Sequence, residues 1–377
     1  MDKHSTDILV LGAGCAGLQL VYQLVTHPKY QQQKIILVDH QPWGSAQKTW
    51  CFWRSANEVI YPEIHSATWK DVEVILPDKS AVTSTLGAYQ YTQITSQDFF
   101  SFHDQFFQNF PITFLQTKVK EITAQGVLTS DGEIQAKHIF SSLSLNDVKD
   151  HDLHLKQHFF GWQIKTTAPR FNPDCLTLMD LSVPQPLDGM AFMYILPYST
   201  TQALVEFTVF SPQTWAEETY TKQLRLYLEG INGWEITGSE KGVIPMYGGQ
   251  FPEKSTAGVH WIGGAGGQIK PSTGYAFYRI WQDSCRIVAS YYGQKKSNQK
   301  KSRRFRAYDL WLLHILQYKP TSSTRIFDAL FSKVPLERTF KFLNEQTSLW
   351  EEVLLFSKLP KRLFLRAVWD RLPNIIS

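Results

Sequence analysis

This sequence predicts an α/β chain, α+β overall, in three parts: a Rossmann-like nucleotide-binding domain, an inserted antiparallel β-sheet domain and a helical C-terminal region. Three observations carry the prediction. The chain opens on "DILVLGAGCAG", a buried-strand run passing into a glycine turn. Its middle, from about residue 157 to 250, is mostly strand-forming and punctuated by proline. A second glycine turn, "GGAGG", returns at residues 263–267, ahead of another helical pattern and a basic tail.

Residues 7–11, "DILVL", form the first strand, and "LQLVYQLVTH" then repeats apolar residues at helical spacing. Residues 34–38, "KIILV", form a second strand that closes on Asp39. Strand, glycine turn, helix and strand make one βαβ unit. Gly12, Gly14 and Gly17 fit G-x-G-x-x-G, which supplies a tight turn, close approach to a pyrophosphate, and close helix-to-strand packing. The helix N-terminus behind them offers free N–H groups to phosphates. Asp39 stands where an acid can bind ribose hydroxyls. This unit alone does not separate NAD from FAD.

Further on, "TWKDVEVILPDKSAVTSTL" predicts an antiparallel pair turning near Pro77 and Asp78, and "TSQDFFSFHDQFFQNF" a helix capped by Ser96. Short strands follow, broken by Gly126 and by Asp131-Gly132. The proline-punctuated middle holds the strands "FFGWQIKTT", "CLTLMDLSV", "AFMYILPYS" and "QALVEFTVFS", with a helix over residues 214–229. In the second turn, Gly264, Gly266 and Gly267 let backbone approach a ligand, and Thr273-Gly274 opens a helix. Two glycine turns so far apart suit a long cofactor, which favours FAD. The domains expected are 1–68 with 105–150 and 255–294 for the cofactor, 69–104 with 151–254 for substrate, and 295–377 as a basic helical region.

Composition narrows the function. The chain has 377 residues, 43% hydrophobic and 19% charged, so it is globular. A net charge of +4, with no nucleic-acid signature, argues against a nucleic-acid partner. Cys15, Cys51, Cys175 and Cys285 show no metal-ligand spacing, so they read as reduced cytoplasmic thiols and no metal is expected. No signal peptide and no spanning helix is expected either. Aromatics reach 14%, which suits a large apolar ligand as well as a packed core.

Two acids stand out. Glu206 interrupts "TQALVEFTVF", and Asp180 interrupts "LTLMDLSV". Both faces of the first strand are apolar apart from Glu206 and Thr208, a pattern of a strand covered on both sides. A carboxyl held there has a raised pKa and is a competent general acid. Trp50 and Phe52 in "QKTWCFWRS", with Trp162 in "FFGWQIKTT", are the candidate pocket walls.

The segments "DILVLGAGCAGLQL", "KTWCFW", "QHFFGWQIKT", "LMDL", "YILPYSTTQALVEFTVFS", "GVIPMYGG" and "GGAGGQIKPSTGYAF", in that order, resemble the lycopene cyclases of the bacterial flavoprotein type. The resemblance covers nearly the whole chain. It implies FAD, used in reduced form without net redox change, with NAD(P)H as electron donor. It also implies cyclisation of the ψ ends of lycopene and other acyclic carotenes to β-ionone rings. The essential glutamate falls on Glu206, with Asp180 as a secondary polar member. Many relatives carry a second acid directly after that glutamate, where this chain has Phe207. A lipid-borne substrate implies a peripheral contact with the membrane lipid surface and with neighbouring carotenoid-pathway enzymes. The basic runs "KKSNQKKSRRFR" and "LPKRLFLRAVWDRLP" suit such a contact. A redox flavoenzyme of related architecture, an isoprenoid reductase or a hydroxylase, is the alternative.

Overall fold

Ile8, Leu9, Val10 and Leu11 are fully buried, so the first strand carries apolar residues on both faces and sits inside its sheet. The computed structural model describes residues 4–45, 47–123, 125–143, 153–249, 251, 258–294 and 303–376. The chain begins with β1 (His4–Leu11), α1 (Cys15–Thr26), β2 (Ile35–Asp39) and β3 (Thr49–Ser55). It continues through β4 (Ala67–Trp69), β5 (Asp71–Ile75), β6 (Ala81–Thr85), β7 (Tyr89–Thr95) and α2 (Ser96–Phe107). Four short strands follow: β8 (Ile112–Gln116), β9 (Val119–Ile122), β10 (Gly126–Thr129) and β11 (Glu133–Ser141). The middle holds β12 (His154–Thr166), β13 (Cys175–Asp180), β14 (Met190–Pro197), β15 (Gln202–Ser211), α3 (Glu217–Leu228) and β16 (Trp234–Tyr247). Then come β17 (His260–Trp261), α4 (Phe277–Tyr291), α5 (Arg303–Tyr318), α6 (Thr324–Lys333), α7 (Leu336–Leu343), α8 (Leu349–Lys358) and α9 (Lys361–Ile376).

These strands build three sheets, and the predicted mixed α/β architecture holds. The first has the order β8-β2-β1-β11-β10-β9, with β17 added on β11. Its β8, β2, β1 and β11 run parallel, so the glycine turn after β1 emerges at the carboxyl edge of a parallel sheet, where nucleotides bind. The second has the order β16-β12-β15-β14-β13-β5-β6 and is antiparallel except where β13 runs parallel to β5. A small sheet, β3-β7-β4, completes the set.

The second sheet is covered on both faces. Val205 and Phe207 of β15 pack with Tyr220, Leu224 and Leu228 of α3. On the opposite face, Leu204 and Phe210 join Phe327, Leu330 and Phe331 of α6 and Phe340 of α7. Every residue of β15 after Gln202 is therefore buried, as its two-sided apolar pattern requires.

Three local expectations change. Helix α2 is capped by Thr95, whose Oγ1 accepts the Asp98 N–H, while Ser96 Oγ accepts from the Lys48 N–H. A domain boundary at residue 104/105 would cut α2, yet its Phe99, Phe100 and Phe107 share one core with α1 and β1. The helix goes with the nucleotide-binding sheet because its apolar stripe faces that way. Thr273-Gly274 lies in a turn, and α4 begins only at Phe277. Residues 295–302 of the basic run lie outside the described residues.

Candidate active site

The two glycine turns pack on each other. Gly12 has φ +98, a left-handed value that favours glycine, and its N–H donates to the Val38 carbonyl. A Cβ on Gly17 would lie 2.0 Å from the Gly12 carbonyl oxygen, so only glycine lets α1 start this close to β1. A Cβ on Gly263 would lie 2.6 Å from Ala16 Cβ, which sets the second turn against the first turn of α1. Gly14 occupies the N-cap of α1 without a side-chain cap, and a Cβ there would meet nothing within 4 Å. That open, uncapped helix end suits a pyrophosphate. Asp39 Oδ2 accepts the Ala13 N–H at 2.9 Å, which places its carboxylate beside the same turn. Gly264, Gly266 and Gly267 form the second turn, closed by the Gln268 N–H on the Gly263 carbonyl. Beyond it, Thr273 Oγ1 and Gln157 Oε1 are buried without a partner and line the cavity beside Gly274. Orphaned polar atoms and a Cβ-free cradle fit a dinucleotide of FAD type running from Gly14 to Gly274.

Glu206 has a partner that the sequence did not disclose. Gly161 on β12 pairs with Glu206 on β15 and, on its other side, with Glu240 on β16. The two carboxylates therefore stand on one face, with a glycine between them. A Cβ on Gly161 would lie 3.1 Å from Glu206 Cβ, so the missing side chain clears the space in which the carboxyls hydrogen-bond each other. Thr208 Oγ1 donates to Glu206 Oε1 at 2.7 Å, and Thr49 Oγ1 donates to Glu240 Oε2 at 2.5 Å. Burial pushes the Glu206 carboxyl well above its ordinary range, and the Glu240 charge pushes it further, against the Thr208 hydrogen bond. Burial raises Glu240 as well, but its hydrogen bonds with Thr49 and Glu206 hold it lower. Both carboxyls are thus raised, Glu206 further than Glu240, and at contact they titrate as one pair.

Tyr194 of β14 continues the row beyond Glu206. Its hydroxyl lies 2.9 Å from that of Tyr91, which in turn lies 2.6 Å from that of Tyr275. Burial raises the pKa of all three, so they remain neutral phenols.

A cavity of about 470 Å³ opens from this row. Glu206, Glu240, Thr49 and Tyr275 line it, together with Phe331, Phe340, Phe356 and Phe364 from the C-terminal helices. Trp50 lines it, with its ring against Phe99 and Phe277. Phe52 does not, being stacked on Phe277 within the nucleotide-domain core. Trp162 is turned to the other face of the sheet, where it stacks on Trp234 beneath the Arg225 guanidinium. Asp180 is also turned away from Glu206. It accepts hydrogen bonds from the Ser182 N–H and hydroxyl and from Tyr227 of α3. Trp53, from the same stretch as Trp50, also lines the cavity, its ring 4.5 Å from Tyr275 and 4.9 Å from Phe340.

A buried ion network ties the C-terminal helices to the second glycine turn. Lys270 Nζ lies 3.1 Å from Asp309 and 3.1 Å from Glu345, and Arg279 reaches the same Glu345 oxygen at 2.6 Å. Ser272 adds a hydrogen bond to Asp309.

Comparison with known proteins decides the family. A family model described as lycopene cyclase protein matches residues 7–368. The chain belongs to the lycopene cyclase family. It is 24% identical over 295 residues to a lycopene beta-cyclase of Pantoea ananas, covering 73% of this chain and 72% of that protein. A lycopene beta-cyclase of a Paracoccus species is 25% identical over 291 residues, covering 72% and 70%. Among solved structures, a geranylgeranyl bacteriochlorophyll reductase-like protein of Thermoplasma acidophilum superposes with TM-score 0.61 at 12% identity, covering 100% of this chain and 98% of that one. A flavin-dependent halogenase of a Brevundimonas species superposes with TM-score 0.57 at 11% identity, covering 98% and 95%. The fold of this cyclase-family chain is that of FAD-binding flavoenzymes.

Proposed function

We propose that this chain is a lycopene β-cyclase that binds FAD and closes the ψ ends of lycopene to β-ionone rings, giving γ-carotene and then β-carotene. The observation that carries the reading is Glu206, a buried carboxyl whose pKa is pushed well above its ordinary range, in the lining of an apolar, aromatic-walled cavity. Proton transfer breaks the Glu206 O–H bond and forms a C–H bond at the terminal alkene, leaving a tertiary carbocation. The neighbouring double bond attacks that cation and forms the ring C–C bond. A ring proton then returns to the ionised carboxyl pair, so the step is an isomerisation with no net redox. Exclusion of water keeps the cation from being trapped, and the rings of Trp53 and Tyr275 offer it their faces. A bound, reduced flavin would supply an electron-rich surface beside the developing charge. NAD(P)H is the proposed source of its electrons. Asp180, turned toward α3, has no part in this proton path.

The test is anaerobic turnover of lycopene in liposomes, with FAD reduced photochemically and NAD(P)H left out. Cyclic carotene of unchanged mass, in excess over reduced flavin, supports the cyclase. Product accompanied by equimolar flavin oxidation would replace this reading with that of a redox flavoenzyme.

The membrane lipid surface is the proposed site of substrate supply. No helix among the described residues is long and apolar enough to cross a membrane. Helix α8 nevertheless exposes Leu349, Trp350 at 70% and Val353, and α9 exposes Leu365 and Trp369 at 76%. Lys358, Lys361, Arg362 and Arg366 are exposed on the same two helices, whose inner residues Leu355, Phe356 and Phe364 line the cavity. Apolar and cationic side chains together fit an anionic bilayer surface. Flotation with anionic vesicles is expected to carry the protein up, and W350E with W369E to weaken that binding about tenfold or more. Equal flotation of parent and variant would remove these helices from the contact.

A further inference from the structure

Glu240 is not the acid that the cyclase reading needs, yet the fold has gone to some length to bring it there. Two long-range strand pairings meet at Gly161, and both opposite residues are glutamates. Any side chain at 161 would push between them, since its Cβ would already sit 3.1 Å from Glu206 Cβ and 3.3 Å from Glu206 Cγ. Thr49, from the small sheet, donates to Glu240 and Thr208 donates to Glu206, each favouring the ionised form of its acceptor, but Glu206 is buried on an inner strand whereas Glu240 is half-buried on the edge strand β16. The two carboxyls therefore hold unequal environments around a shared proton, the arrangement by which like charges at contact cannot both ionise.

We infer that Glu240 is a positioning residue which, through the gap left by Gly161, holds the reacting proton on Glu206. The inference rests on the reading of Glu206 as the proton donor and adds a residue that keeps this acid loaded at neutral pH. After Glu206 gives up its proton the pair carries two negative charges. That repulsion makes it a strong base for the ring proton that must leave next. The O–H bond broken in the first step is re-formed in the last, so atoms and charge balance without a co-reactant.

The groups facing Glu206 are few. Glu240 comes from β16, Cys51 from β3, Tyr194 from β14, Tyr198 from the turn after it, and Tyr275 from the segment before α4, with Tyr91 of β7 hydrogen-bonded to Tyr194 and Tyr275. Burial raises the Cys51 thiol and each of these phenols and favours their neutral forms. Among the described residues two lysines reach the cavity lining, Lys48, which is exposed, and Lys241, which is paired with Glu217; the charge that acts on Glu206 is that of Glu240. Asp309, also in the cavity lining, is paired with Lys270.

The experiment compares E240Q, E206Q and G161A as flavin-loaded protein in liposomes over pH 5–10. Gln at 240 removes the charge and offers an N–H to ionised Glu206, so both effects lower the Glu206 pKa. The alkaline limb of kcat/KM is expected to fall by about one pH unit or more in E240Q. Loss of activity is then about tenfold or more at high pH and much smaller at low pH. G161A, which wedges the carboxyls apart, should move the limb in the same direction by less. A limb that stays in place in E240Q, or a loss equal at every pH, would overturn the inference. Infrared titration of the substrate-free holoprotein gives a readout that needs no turnover. A protonated-carboxyl band absent from E206Q should disappear at lower pH in E240Q than in the parent. If the band shifts but the parent does not cyclise lycopene, the functional reading falls and the proton-sharing pair stands. If the parent cyclises lycopene and neither band nor limb moves, the pair falls alone.

Discussion

Glu206→Gln is expected to abolish ring closure, with a loss of about a thousandfold or more in kcat, because it removes the proton that begins the reaction. Gln is close to isosteric with the protonated acid and can still accept from Thr208, so the cavity and the flavin content should stay as they are. Stability gives the variant a second signature. The folded-state pKa of Glu206 lies above its unfolded value. Between the two, the native state binds a proton that the unfolded chain has released, so this group's contribution to stability falls as pH rises through that window. Glu206→Gln removes that dependence. Its Tm should therefore equal or exceed that of the parent at neutral pH, with a margin that grows on the alkaline side. Chromatography of the products and thermal unfolding between pH 6 and pH 9 would check both. Retained cyclisation would remove Glu206 from the role of acid, whatever the melting curves did.

Lys270→Met is expected to destabilise the fold by about 3–5 kcal/mol, the range found when one member of a buried charge network is removed. Lys270 and Asp309 have side chains only 4% and 9% exposed, so the deletion strands Asp309 in the interior. Glu345 keeps Arg279 and is less affected. Burial pushes the Glu345 carboxyl up, but the Lys270 and Arg279 charges outweigh it and hold it below its ordinary value. The stabilisation this provides is present above the unfolded carboxylate pKa and is lost as pH falls through the folded value. Lys270 follows the second glycine turn, whereas Asp309 lies on α5 and Glu345 in the turn between α7 and α8. The substitution should thus loosen the helical layer from the cofactor cradle, lowering flavin content as well as Tm. The double change K270M with D309L, which removes both buried charges, is expected to be milder than K270M alone. Equal or additive losses in urea unfolding would mean that the network is not what joins the two parts.

The local elements were legible where one residue's neighbours carry the physics. A strand of β-branched and apolar residues running into Gly12, Gly14 and Gly17 can form little but the first turn of a parallel sheet. The unbroken apolar character of β15 announced a strand covered on both faces, and hence an abnormal acid at Glu206. Trp162 and Asp180 were placed wrongly in the pocket for one reason. Alternation tells which residues share a face, but not which face meets the cavity. In β13 a register irregularity between Thr177 and Asp180 shifts even the alternation. Phe207 likewise points into the α3 core, so the residue next to Glu206 in sequence is not next to it in the cavity.

By itself, the sequence determined the βαβ start, the two-sided strand, the buried glutamate and the family to which the chain belongs. The first three are written in short-range periodicity and in residues close along the chain, and the family in the ordered motifs that carry the resemblance. The tertiary structure alone decided that Glu240 stands beside Glu206, that Gly161 is the gap between them, and that Lys270 meets Asp309 and Glu345. Glu240 lies in "ITGSEKGVIPM", inside a polar run between Ser239 and Lys241 such as any half-exposed edge strand carries, and nothing local marks it. Its meaning comes from register, and register is set by many weak cross-strand contacts between distant segments rather than by any one of them.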